Sequence, residues 1–308
     1  MEMSCSAVGA VAVLAACVSF CQDCGAAAAE VACMPSAPSL PGGSYVFDAA
    51  ASDEFEGSAL DSSKWLDWVA SFQGRSRGFL FARDNVALRN GRLELTARLL
   101  RQDEKTVENI RRGFDTYATA IVKAVRKTHY GYYECSAKTM HSNVCNAFWL
   151  YDPLSERPEK KFRPGDTTEE IDIFELFGKE GTIPDADCDR TMFFTVHRLD
   201  TPYLEGIVNG GAHKLPDRSF RMKADFDFWA GYHVYGFLWT ESELKWYVDG
   251  REVFSRKNDF FKRPMHVTFD CEIMYDWAGE PAKSDLPQVY SVEYFRHWRL
   301  ASGDEPTP

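Results

Sequence analysis

Short runs of alternating apolar and polar residues, separated by turn signals, fill the chain from residue 44 onward and constrain its fold more than any other feature. Asn90-Gly91 and Asp249-Gly250 each join two such runs, and both dipeptides favour two-residue hairpin turns. Helical periodicity is weak, with one short candidate at residues 103–112. Further strands are predicted at residues 120–125, 130–139, 147–151, 170–176, 191–197, 233–239, 266–273 and 290–300. Many strands without interleaved helices predict an all-β sandwich of antiparallel sheets.

Length and charge limit the domain count and the partners. The 308 residues suffice for one large domain with a full core. We predict an export signal at 1–29, a linker at 30–43, one β-sandwich domain at 44–302 and a tail at 303–308. Asp and Glu number 46 against 35 Lys and Arg, which argues against a sequence-independent nucleic-acid binder. The domain is expected to act as a monomer.

The first thirty residues have the composition of an export signal. Residues 7–20 are apolar but shorter than the roughly twenty residues of a membrane-spanning helix. The small residues 25–29 suit signal peptidase, although no positive side chain precedes the apolar run. We therefore expect export, as a secreted, periplasmic or outer-surface protein. Residues 14–17 also resemble a lipobox, so a lipid anchor at Cys17 is one alternative, and a buried core helix is another.

Nine cysteines are unevenly distributed, with five of them in the first forty residues, which we call the leader. The other four are Cys135, Cys145, Cys188 and Cys271. They lack C-x-x-C spacing, so a zinc site is not expected. One disulfide among these four stays open.

Three carboxylates lie within six residues, Glu170, Asp172 and Glu175, and are separated by apolar side chains. On a helix no single face would carry all three. On a strand Glu170 and Asp172 share a face, and one β-bulge near residues 173–174 returns Glu175 to it. Retaining glycoside hydrolysis needs such a pair, one carboxylate ionised to attack the anomeric carbon and one protonated to release the leaving oxygen. The alternatives are an exposed acidic edge strand and a calcium loop.

The spacing Glu-x-Asp-x-x-Glu, together with its surroundings, resembles glycoside hydrolase family 16 over roughly residues 45–300. The supporting segments are residues 52–57, 130–134, 146–150, 233–239, 247–250 and 292–296. The resemblance implies a jelly-roll, concanavalin-like sandwich and a polysaccharide substrate. It implies no required cofactor and leaves a structural calcium ion open. It also implies that Glu170 is the nucleophile, Asp172 its auxiliary and Glu175 the general acid/base.

Residues 138–152 look more like agarase and porphyranase chains than laminarinases. We therefore expect an endo-acting hydrolase of an agarose- or porphyran-type galactan. The net negative charge slightly favours agarose-like chains over heavily sulfated ones, although Arg75 would suit a sulfate group. An endo-1,3-β-glucanase and a non-catalytic glycan-binding sandwich are the alternatives. The candidate substrate-binding residues are Trp68, Arg75, Trp149, His197, Glu272 and Trp277.

Overall fold

The computed structural model describes residues 34–37, 39–41, 43–75, 79–153, 167–180, 187–200 and 219–301, all within one unit of the chain, Met34–Pro308. The predicted export signal and tail lie outside the described residues. The strands of the described part are, in chain order, β1 (Tyr45–Phe47), β2 (Trp65–Leu66), β3 (Gly74–Arg75), β4 (Phe79–Phe81), β5 (Val86–Leu88), β6 (Leu93–Leu99), β7 (Tyr117–Thr119), β8 (Ile121–Thr128), β9 (Gly131–Lys138), β10 (Cys145–Tyr151), β11 (Thr167–Leu176), β12 (Thr191–Asp200), β13 (Ser219–Lys223), β14 (His233–Trp239), β15 (Glu243–Val248), β16 (Arg251–Lys257), β17 (Met265–Glu272) and β18 (Gln288–Leu300).

These strands form two sheets. One has seven strands in the order β13-β12-β11-β10-β17-β8-β2. The other has eleven, in the order β16-β15-β14-β9-β18-β6-β7-β4-β3, with β1 beside β18 and β5 beside β6. All described pairings are antiparallel except that of β4 with β7. The all-β antiparallel sandwich is thus confirmed, with a single α-helix in the described ranges, α1 (Val107–Arg111), inside the predicted helical segment.

Both predicted hairpins are present. In the first, Asn90 and Gly91 have φ of 54° and 68°, and in the second Asp249 and Gly250 have φ of 49° and 75°. These positive values at both central residues match the right-handed twist of the flanking strands. The strands that the sequence did not predict are β1, β2, β3, β4, β7 and β13, which are two to five residues long. Strands of this length are too short to show a recognisable alternation of apolar and polar residues.

Aromatic side chains fill the core between the two sheets. Phe148 and Phe269 stack with ring centroids 4.7 Å apart and an interplanar angle of 7°. Both contact Phe295 of the opposite sheet edge-on. Trp65 is 2% exposed and belongs to this core, and its indole N–H donates to Asp53. Apolar burial on this scale is the main stabilising contribution to the sandwich.

Part of the predicted linker packs on the outer face of the eleven-stranded sheet. Glu134 on β9 is 1% exposed and accepts hydrogen bonds from the backbone N–H and the hydroxyl of Ser36. The hydroxyls of Tyr132 and Tyr294 also donate to the Glu134 carboxylate. A buried carboxylate needs such donors to offset its lost hydration. The chain is therefore held against the domain from residue 36.

The four cysteines after the leader, Cys135, Cys145, Cys188 and Cys271, are all buried free thiols. The structure thus gives no disulfide among them. No helix in the described residues is both long enough and apolar enough to cross a membrane.

Gly178 follows the strand that carries the three carboxylates and is held tightly against the loop before β10. A Cβ atom there would lie 1.8 Å from the carbonyl oxygen of Met140. We expect Gly178→Ala to lower the free energy of unfolding by about 1–3 kcal/mol, because backbone must move to admit the methyl group. Urea denaturation measures this. Gly231→Ala is the control, since no atom lies within 4 Å of its added Cβ, and equal stability of the two variants would contradict the prediction.

Candidate active site

The three carboxylates of β11 lie on the outer face of the seven-stranded sheet. Asp172 pairs with Thr195 of β12, whereas Glu175 pairs with Phe193, so three residues of β11 advance against two of β12. This is the predicted β-bulge at residues 173–174, and Ile173 and Phe174 are both fully buried in the core. The bulge therefore turns Glu175 to the same face as Glu170 and Asp172.

The register across the next two strands brings more acidic residues to this face. Ala147 of β10 pairs with Glu175 on one side and with Asp270 of β17 on the other. Glu272, two residues further along β17, points the same way. On this face of the sheet, Glu175 and Asp270 are separated only by the methyl group of Ala147. The small side chain leaves an open cleft above the sheet.

The cleft crosses the strands and has two parts that meet at Glu175. The part that we call the β17 side has a volume of about 300 Å³ and lies over β8, β17 and β10. The part that we call the β13 side has about 460 Å³ and lies over β12 and β13. Their volumes are in the range of small-molecule binding sites. A ligand that fills both would run across the sheet, over the carboxylates of β11.

His197 of β12 lies beside the first two carboxylates. Its Nε2 atom is 3.3 Å from an oxygen of Asp172 and 3.9 Å from an oxygen of Glu170. Asp172 is 6% exposed, so the imidazole supplies polar contact that water cannot. Among the described residues, Glu170, Asp172 and His197 also form a group that could hold a metal ion, because their ligand atoms all lie within 4.8 Å of one another.

The pKa values of the two glutamates differ in a way that acid–base chemistry can use. Burial and the nearby charge of Asp172 raise the pKa of Glu170 to about 7, while His197 and Arg75 oppose the rise. Burial and the charges of Asp172 and Glu170 raise the pKa of Glu175 well above its usual range. Although 30% of the Glu170 side chain is exposed, it sits among protein atoms on the cleft floor. Near neutral pH the geometry thus favours a protonated Glu175 beside an ionising Glu170.

Arg75 of β3 reaches the cleft from the opposite sheet and forms an ion pair with Glu272. Only 5% of the Glu272 side chain is exposed, so this pairing compensates a charge that is nearly out of water. Asp270 lies beside it, and burial together with the charge of Glu272 raises the pKa of the Asp270 carboxyl well above its usual range. Arg75 is therefore the main counter-charge of the described acidic cluster.

Removal of Arg75 is expected to move the pH profile. Since its positive charge lowers the pKa of Glu170, Arg75→Gln should raise that pKa. If Glu170 must be ionised, the acidic limb of the pH profile of kcat/KM shifts to higher pH, by roughly 0.5 to 1 pH unit. Arg75→Lys keeps the charge and should leave the limb near its original position. A pH series of kcat/KM for the three proteins measures the shift, and an unmoved or lowered limb in Arg75→Gln contradicts the prediction.

The structure brings most of the candidate substrate-binding residues to the cleft. Trp149 lies on the β17 side together with Arg75 and Glu272. Trp277 and His197 lie on the β13 side, and Trp277 packs edge-on against Phe193 at 5.0 Å between ring centroids. Trp68 is not brought there. It follows β2, outside the described cleft lining, where the guanidinium of Arg83 stacks on its ring at 5.3 Å.

Sequence reasoning missed several residues of the cleft, among them Lys123, Asp270 and Arg221. A signal existed for Asp270, because residues 266, 268, 270 and 272 are polar and alternate with apolar residues along one strand. Arg221 had no such signal, since β13 is only five residues long.

A family model described as "Beta-porphyranase A-D, GH16 domain" matches residues 45–300. The chain belongs to glycoside hydrolase family 16. The resemblance found in the sequence is thereby confirmed. The chain is also confirmed as a glycoside hydrolase, because its porphyranase and carrageenase relatives are glycoside hydrolases. Family 16 hydrolases act with retention of anomeric configuration, by two successive displacements.

Individual relatives agree with this assignment. The enzyme is 31% identical to beta-porphyranase B of Zobellia galactanivorans over 272 residues, which cover 81% of this chain and 83% of that protein. It is 27% identical to kappa-carrageenase of Pseudoalteromonas carrageenovora over 305 residues, 92% of this chain and 72% of that protein. A crystal structure of a kappa-carrageenase from Zobellia galactanivorans superposes with a TM-score of 0.69 at 25% identity, covering 87% of this chain and 100% of that one. This structural match confirms the jelly-roll sandwich.

Proposed function

We propose that this family 16 enzyme is an endo-acting hydrolase of β-linked galactans, with Glu170 as nucleophile and Glu175 as general acid/base. The observation that carries the assignment is the bulge in β11, which puts both carboxyl groups on one face below an open cleft. A non-catalytic binding module would not need this arrangement, because binding alone requires no acid–nucleophile pair.

In the first step, the ionised carboxylate of Glu170 attacks the anomeric carbon while the bond from that carbon to the glycosidic oxygen breaks. The protonated carboxyl of Glu175 transfers its proton to the departing oxygen, and a glycosyl ester remains on Glu170. In the second step, the Glu175 carboxylate takes a proton from water, the water oxygen attacks the anomeric carbon, and Glu170 leaves. The order of the two pKa values supports this division of roles.

Asp172 and His197 would act on the nucleophile through their contacts. Asp172 lies between the two glutamates on β11, and its charge raises the pKa of both. His197 contacts Asp172 and fixes its orientation. The interaction of the two side chains keeps Asp172 directed at Glu170 as charge on the latter changes during the two steps.

The galactan assignment rests on the relatives. Their names are beta-porphyranase and kappa-carrageenase, and both are endo-galactanases of family 16. Trp149 and Trp277 would provide aromatic faces for sugar rings on the two sides of Glu175. A cleft that continues on both sides of the carboxylates suits attack within a chain. The second candidate is an endo-1,3-β-glucanase, because a relative that is 21% identical over 294 residues is named glucan endo-1,3-beta-glucosidase A1.

Depolymerisation of four polysaccharides by the wild-type enzyme tests this proposal. Agarose, porphyran, kappa-carrageenan and laminarin should be incubated separately and their products sized by chromatography. We expect an early fall in the mean chain length of at least one galactan, as endo-attack requires, and no release from laminarin. Cleavage of laminarin alone would establish the glucanase instead. Binding without any cleavage would establish a glycan-binding module.

We also propose that residues 1–29 direct export and that the domain works as a monomer. The support for export is the apolar run followed by small residues before position 30. Amino-terminal sequencing of the protein from the extracellular fraction should give a start near residue 30. A lipid-modified start at Cys17 would show membrane anchoring, and full-length protein inside the cell would contradict export. Sedimentation of the mature protein measures the oligomeric state.

A further inference from the structure

The two sides of the cleft differ in their charge. Glu175 lies at the centre of a row in which Asp270 is two strands away in one direction and Arg221 two strands away in the other. Both separations are about 10 Å between Cα atoms, at roughly 4.8 Å per strand. A chain that crosses the sheet over Glu175 therefore meets a carboxyl group on the β17 side and a guanidinium on the β13 side.

The cations that the structure describes on the β17 side are already engaged. Arg75 pairs with Glu272, and Lys127 pairs with Asp152 beside the cleft. Lys123 is 6% exposed on the cleft floor and is not without a partner either. An anionic substituent on this side would have to displace one of these contacts and would face Asp270 as well. Such a site favours a neutral sugar.

Arg221 on the β13 side is in the opposite situation. It is exposed, lines the cleft with Trp277 and Glu175, and forms no ion pair with any residue that the structure describes. Its neighbours at this end of the sheet are paired, Lys223 with Asp187 and Arg190 with Asp227. A guanidinium beside an aromatic face is suited to bind a sulfate ester through two parallel N–H donors while the sugar ring stacks.

We propose that Arg221 is a specificity-determining residue that binds a sulfate ester of the galactan on the β13 side of the scissile bond, while the β17 side accepts a neutral sugar. This inference rests on the proposed function and refines it. It reverses the preference for agarose-like chains that the net charge suggested, because an arginine in the cleft without an ion-pair partner among the described residues outweighs a negative charge spread over the surface.

The test compares wild type, Arg221→Gln and Arg221→Lys on an oligosaccharide of the sulfated galactan that wild type cleaves and on the same oligosaccharide after chemical desulfation. We expect Arg221→Gln to raise KM for the sulfated form roughly 10- to 100-fold. Its kcat should stay within about threefold, since the contact is the same in substrate and transition state. The kinetics of Arg221→Gln on the desulfated form should equal those of wild type. On the sulfated form, the KM of Arg221→Lys should lie between the values of wild type and Arg221→Gln. Lys223→Gln, on the same strand but paired with Asp187, is the matched control and should equal wild type.

If desulfation abolishes turnover by wild type, calorimetric binding of the two oligosaccharides to Glu170→Ser with and without Arg221→Gln gives the same comparison. Equal effects of Arg221→Gln on both forms, no effect on either, or a wild-type preference for the desulfated form would overturn the proposal. In those three cases the wild-type enzyme still cleaves a galactan, so the proposed function stands. If the wild-type enzyme cleaves no galactan, both the proposed function and the proposed role of Arg221 are contradicted.

Discussion

Glu170→Ser is expected to lower kcat/KM on the preferred galactan by about 10⁴-fold or more, on the scale seen when other enzymes lose a nucleophile. Serine has no carboxylate with which to form the glycosyl ester, and its hydroxyl is too short to reach the anomeric carbon. The fold should remain intact. The change also removes one of several crowded, desolvated carboxylates, so the free energy of unfolding should stay equal or rise. Initial rates of reducing-end release and urea denaturation measure the two quantities.

Glu180→Gln is the control for this change, because Glu180 is an exposed carboxylate a few residues beyond β11. It should retain wild-type activity. Glu170→Gln, which keeps the size of the side chain, should be as inactive as the serine variant. Appreciable activity in either Glu170 variant would contradict its role as nucleophile.

Glu175→Gln is expected to lower kcat/KM on the polysaccharide by about 10²- to 10⁴-fold, which is the usual contribution of a general acid. The amide cannot transfer a proton to the glycosidic oxygen. An aryl glycoside whose phenol leaves without protonation should still form the glycosyl ester, which then accumulates because no base activates water. Added azide should restore turnover by attacking the ester directly.

Mass spectrometry of this trapped species distinguishes the roles of the two glutamates. The added glycosyl mass should lie on the peptide that contains Glu170. A label on another carboxylate, or equal losses on the aryl glycoside and the polysaccharide, would show that the two assignments are wrong. Replacement of both Glu170 and Glu175 should lower kcat/KM little further than Glu170→Ser alone, because both groups serve one reaction.

The strand that carries the three carboxylates could be predicted from the sequence for a physical reason. Carboxylates at residues 170, 172 and 175 between fully apolar side chains fit neither a helix face nor a regular strand, so only a bulge brings them together. The two glycine-containing hairpin turns likewise carry their own conformational signal, since both central residues need positive φ.

The remainder of the cleft depends on contacts between distant parts of the chain. Arg75 and Glu272 are 197 residues apart, and nothing near either position indicates their pairing. Trp68 lies three residues after the core Trp65, and only the packed structure shows that it meets Arg83 instead of the cleft. Arg221 owes its importance to the strand register that aligns it with Phe193 and Glu175. Local sequence patterns do not encode such registers between strands.

The contact between Ser36 and Glu134 decides from which side the enzyme can be attached to a solid support. Ser36 is fixed to the outer face of the eleven-stranded sheet, whereas the cleft lies on the outer face of the seven-stranded one. A bead or surface coupled just ahead of residue 34 would thus meet the back of the molecule. Long, stiff polysaccharides could then approach the immobilised enzyme without steric hindrance from its carrier.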